Sequence, residues 1–263
     1  MAPERSGEKS IVFYDIASAP PKRTYAPNPW KARLALNFKS ASYSTAWVEL
    51  PDVASTRTAL GVPPSRKFPD GSDFHTLPLL HDKMTNQYVG DSFDIALYLD
   101  DKYPDGPRLI AQGMAGVTKA WNDRIDQLFT RFVKLCVDGM PLNPDNADIC
   151  RQTFASRGRL MGWDGDWTVK GDERGDMLAE FQAALGELEI YYSYTIDMQR
   201  RAESSGPFLS GEQPTYADLI VGGWLGYVHE TLPPAELAGF QTWHNGRWGR
   251  IWRALAKYAD STK

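Results

Sequence analysis

Apolar residues fall in short runs along the first hundred positions and recur every three or four residues after that. Ile11-Val12-Phe13-Tyr14-Asp15-Ile16 is a compact apolar run and predicts a buried strand over 11–16. Trp30, Leu34 and Phe38 then repeat at helical spacing, with Lys31, Arg33 and Lys39 on other faces. Pro29 suits the first turn of that helix and Asn28 its N-cap. Residues 45–50 read as a second strand stopped by Pro51, and 53–60 as a short helix. Residues 61–76, with Pro63-Pro64 and Pro69-Asp70-Gly71, read as a turn-rich link. A strand following Pro78 and a second through Gln87-Tyr88-Val89 predict a hairpin across 83–86, and a helix is expected over 92–102. The order is βαβ, an irregular link, then ββα.

Tyr103-Pro104-Asp105-Gly106-Pro107 interrupts the pattern, and beyond it the strand signal fades. Helices are predicted at 114–138, 147–160, 174–203, 215–230 and 244–259, so this half reads as all-helical. Residues 162–173, which hold Gly162, Gly165, Gly171, Trp163 and Trp167, read as a loop. Thr215-Tyr216-Ala217-Asp218 precedes the apolar run Leu219-Ile220-Val221 and reads as a capping box with Asp in the place usual for Glu. The expected division is 1–103, a linker over 104–113, and 114–263.

Composition narrows the classes. The chain is 42% hydrophobic and 24% charged, ordinary for a folded globular protein. A formal net charge of -4 argues against nucleic acid as a partner. Cys136 and Cys150 form no CxxC pair, so they are expected as reduced, buried thiols, with neither a dithiol site nor a metal site. No apolar run reaches membrane-spanning length, and the polar opening residues 1–9 do not read as a signal peptide; a cytoplasmic protein is expected. Nine Trp and twelve Tyr fit either dense core packing or an aromatic-lined pocket.

The candidate chemistry lies between residues 75 and 96. Pro78 cannot donate to a sheet ladder, so it belongs at the start or edge of a strand. It is also a candidate for a cis bond, which would leave the Leu77 N–H and C=O free for a peptide-like ligand. Asp91 and Ser92 fall at a helix N-terminus, where backbone N–H groups attract a carboxylate. Together these make a socket for a small zwitterionic peptide.

This order of motifs resembles the cytosolic glutathione transferases: an α/β thioredoxin-like N-terminal domain, an apolar-Pro before a strand, an acid-Ser pair opening the next helix, and an all-α C-terminal domain with a Ser/Thr-x-x-Asp box. Thr24-Tyr25-Ala26-Pro27-Asn28-Pro29-Trp30-Lys31 is similar to the Ser-Pro-x-x-Trp-Lys/Arg signature of the etherase-like transferases and the fungal-specific class A (FuA). The resemblance implies a fungal protein, a homodimer, and glutathione as cosubstrate. It implies that Leu77, before Pro78, pairs with the cysteinyl backbone, that Ser92 receives the γ-glutamyl carboxylate, and that Asp91 orients the ammonium. Trp30 of the signature joins that set. The glycine carboxylate needs a cation, for which Lys67, Arg66 and Lys39 are candidates.

A thiolate, not a thiol, is the nucleophile, and free cysteine has a pKa near 8.5. The resemblance implies a serine hydroxyl to stabilise that anion where this chain has Ala26. Tyr25, Thr24, Ser18 and the Asn28 amide are the nearby donors, beside the positive end of the helix. Two functions stay open: a transferase with weak conjugation or etherase-type activity on aromatic or phenolic molecules, and a ligandin that binds polyphenols without turnover. An oxidoreductase is disfavoured because no Cys lies near 26–31. Trp121, Ile125, Phe129 and Phe132 share one helix face, which is either domain core or an aromatic wall for the second ligand.

Overall fold

The computed structural model describes residues 9–163, 167–202 and 206–263, with 195–202 described by backbone alone. Residues 1–8, Gly165 and position 203, on which some of the expectations above fall, lie outside the described residues. The first half is built on a four-stranded sheet in the order β2-β1-β5-β6. Strand β1 (Ile11–Ile16) runs parallel to β2 (Tyr43–Val48), with Ile11 opposite Tyr43, and antiparallel to β5 (Leu79–Asp82), with Ile11 opposite Asp82. Strand β6 (Gln87–Gly90) closes the hairpin expected from the sequence, with Leu80 opposite Val89. The parallel β1–β2 pair needs a crossover, which α1 (Pro27–Phe38) supplies.

Helix α1 starts earlier than the sequence predicts. Ala26, not Asn28, is its N-cap, and no side chain caps it; Pro27 and Pro29 preset φ for the first turn instead. Strand β2 begins and ends two residues before its predicted limits, because Leu50–Asp52 winds into a single 3-10 turn at Pro51 ahead of α2 (Val53–Ala59). Within the turn-rich link, β3 (Arg66–Lys67) and β4 (Asp73–Phe74) form a separate two-stranded hairpin, too short for any alternation to show in the sequence. Helix α3 (Ser92–Lys102) falls where it is predicted.

The cations of α1 are buried in ion pairs. Arg33 is fully buried, 3.0 Å from Asp15 and with its guanidinium over the rings of Phe13 (5.0 Å) and Trp47 (5.3 Å). Lys31 is equally buried and pairs with Asp126 at 2.5 Å, tying α1 to the helical half.

That half comprises α4 (Ala115–Thr130), α5 (Ala147–Leu160), α6 (Gly171–Ala202), α7 (Tyr216–Thr231), α8 (Pro234–Phe240) and α9 (Trp243–Leu255). The helix predicted over 114–138 stops at Thr130, and two 3-10 turns carry the chain to Gly139. Gly139 lies against the last turn of α7: a Cβ there would meet the Thr231 carbonyl oxygen at 1.8 Å. Helix α8 was not foreseen, since seven residues are too few to establish a period. The capping box holds: the Thr215 N–H donates to the Asp218 carboxylate at 2.9 Å.

Helix α7 is buried nearly all round and packs directly on α1. The approach needs glycine. A Cβ at Gly223 would sit 2.6 Å from the Pro27 carbonyl oxygen, and one at Gly226 would sit 2.9 Å from the Trp30 ring. The two halves therefore meet backbone to backbone, and the first turn of α1 lies against the helical half. Among the described residues no helix is long and apolar enough to cross a membrane.

Candidate functional site

The first element of the site is the junction of β5, β6 and α3. The Leu77–Pro78 bond is cis, as the sequence analysis expected, and the β5 ladder begins immediately after it at Leu79. Strand β6 ends at Gly90. Asp91 then takes φ 71° and caps α3, its carboxylate accepting the Phe93 N–H at 2.9 Å. Its side chain stays exposed, while Ser92 is buried at the first helical position.

Beneath this junction lies Arg57, a residue sequence reasoning missed. It is 2% exposed and donates to the Thr76 carbonyl at 2.9 Å and the Pro63 carbonyl at 2.6 Å. Its guanidinium also lies against Gly90, where a Cβ would come within 3.1 Å of Nη2. Arg57 thus braces the residues preceding both Leu77 and Asp91. Burial lowers its pKa from the ordinary value, and the Asp91 charge opposes that shift. A single Arg on a short helix reads in sequence as a solvated side chain, so no signal pointed to it.

The second element is a cavity of about 260 Å³ between the first turn of α1 and the helical half. Tyr25, Ala26, Pro27 and Asn28 form one side of it, Arg66 and Phe74 of the β3–β4 hairpin a second. Other parts of the wall come from Phe154 and Arg157 of α5, from Trp163 and Trp167 beyond it, and from Trp224 and Tyr227 of α7. Trp167 lies so close on α5 that a Cβ at Gly158 would meet its ring at 1.5 Å. Because Pro27 and Pro29 have no N–H, Asn28 carries the only backbone donor among the first three positions of α1.

Of the four donors considered for the thiolate, two are already engaged. Thr24 donates to Asp15 at 2.5 Å, and Ser18 donates to the Ala19 carbonyl at 3.1 Å. Tyr25 and Asn28 line the cavity. Burial raises the Tyr25 pKa, so its hydroxyl stays protonated and acts as a donor.

Several expected site residues stand elsewhere. Lys39 is buried against Asp100 at 2.7 Å and donates to the Tyr103 carbonyl at 3.1 Å, which leaves it no reach to an anionic ligand. Lys67 is exposed, pairs with Asp73 and is absent from the cavity wall, whereas its neighbour Arg66 lines it. Trp30 is 3% exposed and packs edge-on against Trp252 at 5.4 Å, so it serves the contact between the halves. The α4 stripe is core. Ile125 and Phe129 are fully buried, Phe129 stacks on Trp224 at 5.3 Å, and Trp121 packs on Tyr191 and donates to the Ala217 carbonyl. The apolar face of α4 turns to α6 and α7, and only its edge residues Asp126 and Thr130 reach the cavity. Asp126 is tied down by Lys31, by Asn122 at 3.0 Å and by Trp224 Nε1 at 2.7 Å. Trp163 and Trp167, four apart in sequence, stand in the cavity wall instead.

Comparison with known proteins agrees with this arrangement. A family model described as glutathione S-transferase, N-terminal domain, matches residues 25–102, and one described as glutathione S-transferase, C-terminal domain, matches residues 115–258. A glutathione S-transferase of Ceriporiopsis subvermispora, crystallised in complex with glutathione, is 31% identical, with a TM-score of 0.81 over 97% of this chain and 99% of its own. The glutathione transferase GSTFuA3 of Phanerochaete chrysosporium is 27% identical, with a TM-score of 0.80 over 98% of this chain and 100% of its own. The glutathione S-transferase-like protein ustS of Aspergillus flavus is 26% identical over 97% of this chain and 93% of its own. The thioredoxin-like and helical halves, the cis bond before β5, the acid-Ser start of α3 and both family models together place the chain in the glutathione S-transferase family.

Proposed function

We propose that this protein binds glutathione at the β5–β6–α3 junction and an aromatic molecule in the adjoining half of the site, joining the two slowly or merely holding them. The observation that carries this reading is the cavity itself: an aromatic-walled space bounded by Tyr25, Ala26 and Asn28 at the start of α1. Leu77 offers main-chain groups to the cysteinyl unit beside Pro78. Ser92 and the N-terminal end of α3 receive the γ-glutamyl carboxylate, and the exposed Asp91 carboxylate takes the ammonium. The thiol then points to the first turn of α1, where the Tyr25 hydroxyl and the Asn28 groups are the donors in place of a serine. Those donors, with the helix dipole, lower the thiol pKa less than a serine hydroxyl at position 26 would, so conjugation is expected to be slow.

Calorimetry tests the binding half directly. Asp91→Ala and Ser92→Ala each remove a charge-assisted hydrogen bond and should weaken glutathione by about 1.5–3 kcal/mol. Unchanged affinity in the double variant would remove the site.

The ligandin reading is favoured by one specific residue, Ala26, whose side chain has no hydrogen-bond donor. A panel of phenolic compounds assayed for binding and for turnover separates the two readings. The homodimer implied by the family has support in an exposed apolar strip. Trp121 of α4 meets Tyr191 of α6, and Arg124 meets Glu187. The helices are therefore antiparallel neighbours, which brings exposed Val117 level with exposed Tyr194, near Ile190.

A further inference from the structure

We propose that the aromatic cavity selects anionic aromatic ligands, carboxylates or sulfonates on a planar ring, through Arg157 with Arg66 assisting. The inference rests on the reading of the cavity as an aromatic-ligand site and specifies the charge of its occupant.

Arg157 projects from α5 into the cavity wall and is half-buried. Its guanidinium lies 5.7 Å from the centroid of the Phe74 ring, and among the described residues its one hydrogen bond is a long one, 3.5 Å, to the His75 carbonyl. Arg66 stands over the same ring at 4.7 Å. Among the described residues neither guanidinium is in an ion pair with a carboxylate. Among the described residues the one carboxylate in the wall is Asp126, which is already committed to Lys31, Asn122 and Trp224.

A guanidinium has five N–H donors and cannot shed its charge. Partly buried and, among the described residues, without a carboxylate partner, Arg157 is desolvated with little electrostatic return. Burial lowers the Arg157 pKa, and Tyr25 is the one group that opposes the shift. Tyr25 lines the same cavity, so its hydroxyl is a further donor in that wall. The rings of Trp163, Trp167 and Phe154 also line the cavity. A planar ring carrying one carboxylate or sulfonate fills both parts: the ring against the tryptophans, the anion in the fork of Arg157.

The test compares naphthalene-2-carboxylate, naphthalene-2-sulfonate and neutral 2-acetylnaphthalene by calorimetry or tryptophan quenching, at saturating glutathione so that the glutathione carboxylates are already placed. The expected result is that both anions bind at least about tenfold tighter than the neutral ketone, the scale of a charge-assisted contact. Arg157→Met should abolish the preference, Arg157→Lys should keep part of it, and Arg66→Met should reduce it. If Arg157→Met does not fold, the wild-type preference and the Arg66→Met variant still decide. Equal affinity for anion and ketone in the wild type overturns this proposal and leaves the aromatic-ligand reading standing. No binding by any of the three overturns both. A preference that survives in folded Arg157→Met overturns the assignment, as does a preference present only without glutathione, which would give these arginines to the tripeptide instead.

Discussion

Tyr216, the first residue of α7, donates its hydroxyl to the main-chain carbonyl of Ser92, the first residue of α3, at 2.6 Å. Its ring also meets Phe93 edge-on at 5.7 Å. The helical half thus holds the helix N-terminus to which the glutathione carboxylate is assigned. Burial raises the Tyr216 pKa well above its ordinary value, so the hydroxyl is a donor at any physiological pH.

Tyr216→Phe should keep the ring packing and remove only this bond. The cost in stability is about 1 kcal/mol, the net worth of one buried hydrogen bond, because the Ser92 carbonyl keeps its bond within α3. Glutathione affinity should fall as well. Thermal unfolding and calorimetry on one variant check both; a loss of stability with affinity intact would mean the bond serves only the fold.

Ala26→Ser should raise the rate of glutathione conjugation. The N-cap position at 26 has extended backbone and no side-chain bond to replace, so a serine hydroxyl is accommodated there and can donate to the thiolate. Ultraviolet titration of bound glutathione should show a lower thiol pKa in the variant. A thiolate already complete at neutral pH in the wild type would contradict this.

The capping-box carboxylate sets a pH dependence. Burial pushes Asp218 up to about 6, against the hydrogen bonds from Leu209 and Thr215. A carboxyl whose folded pKa exceeds its unfolded value contributes stability below the unfolded pKa and loses it as pH rises through the folded one. Stability should therefore fall between about pH 4 and pH 6, by on the order of 3 kcal/mol from this group. Melting temperature against pH should show that slope, and Asp218→Asn should flatten it. An unchanged slope in the variant would assign the effect elsewhere.

Light scattering should give twice the chain mass of 29.5 kDa at micromolar concentration. Tyr194→Asp, placed in the exposed strip of α4 and α6, should shift the mass toward the monomer without lowering the melting temperature of the subunit. A wild-type monomer would refute the dimer.

Local pattern determined much of this protein. The apolar run at 11–16, the Pro78 hairpin, the acid-Ser start of α3 and the Thr215–Asp218 box are each written in neighbouring residues, and the structure has them there. Turn chemistry and capping depend on residues within four positions of one another, so a sequence shows them. The start of α1 differs because Pro27, not only Pro29, presets the first turn, and the helix predicted through 138 ends at Thr130, beyond which two 3-10 turns bring Gly139 against Thr231.

What only the tertiary structure decided is which side chains share a space. Lys39 and Lys67 look like free cations in sequence, yet each has a carboxylate beside it in three dimensions. Arg57 and Arg157 look like ordinary surface arginines, yet packing turns one under Gly90 and the other into the cavity. The α4 stripe carries the right residues for an aromatic wall, but the rotation of that helix about its axis, set by α6 and α7, gives them to the core. Periodicity states that residues lie on one face; only the packed partners determine what that face meets.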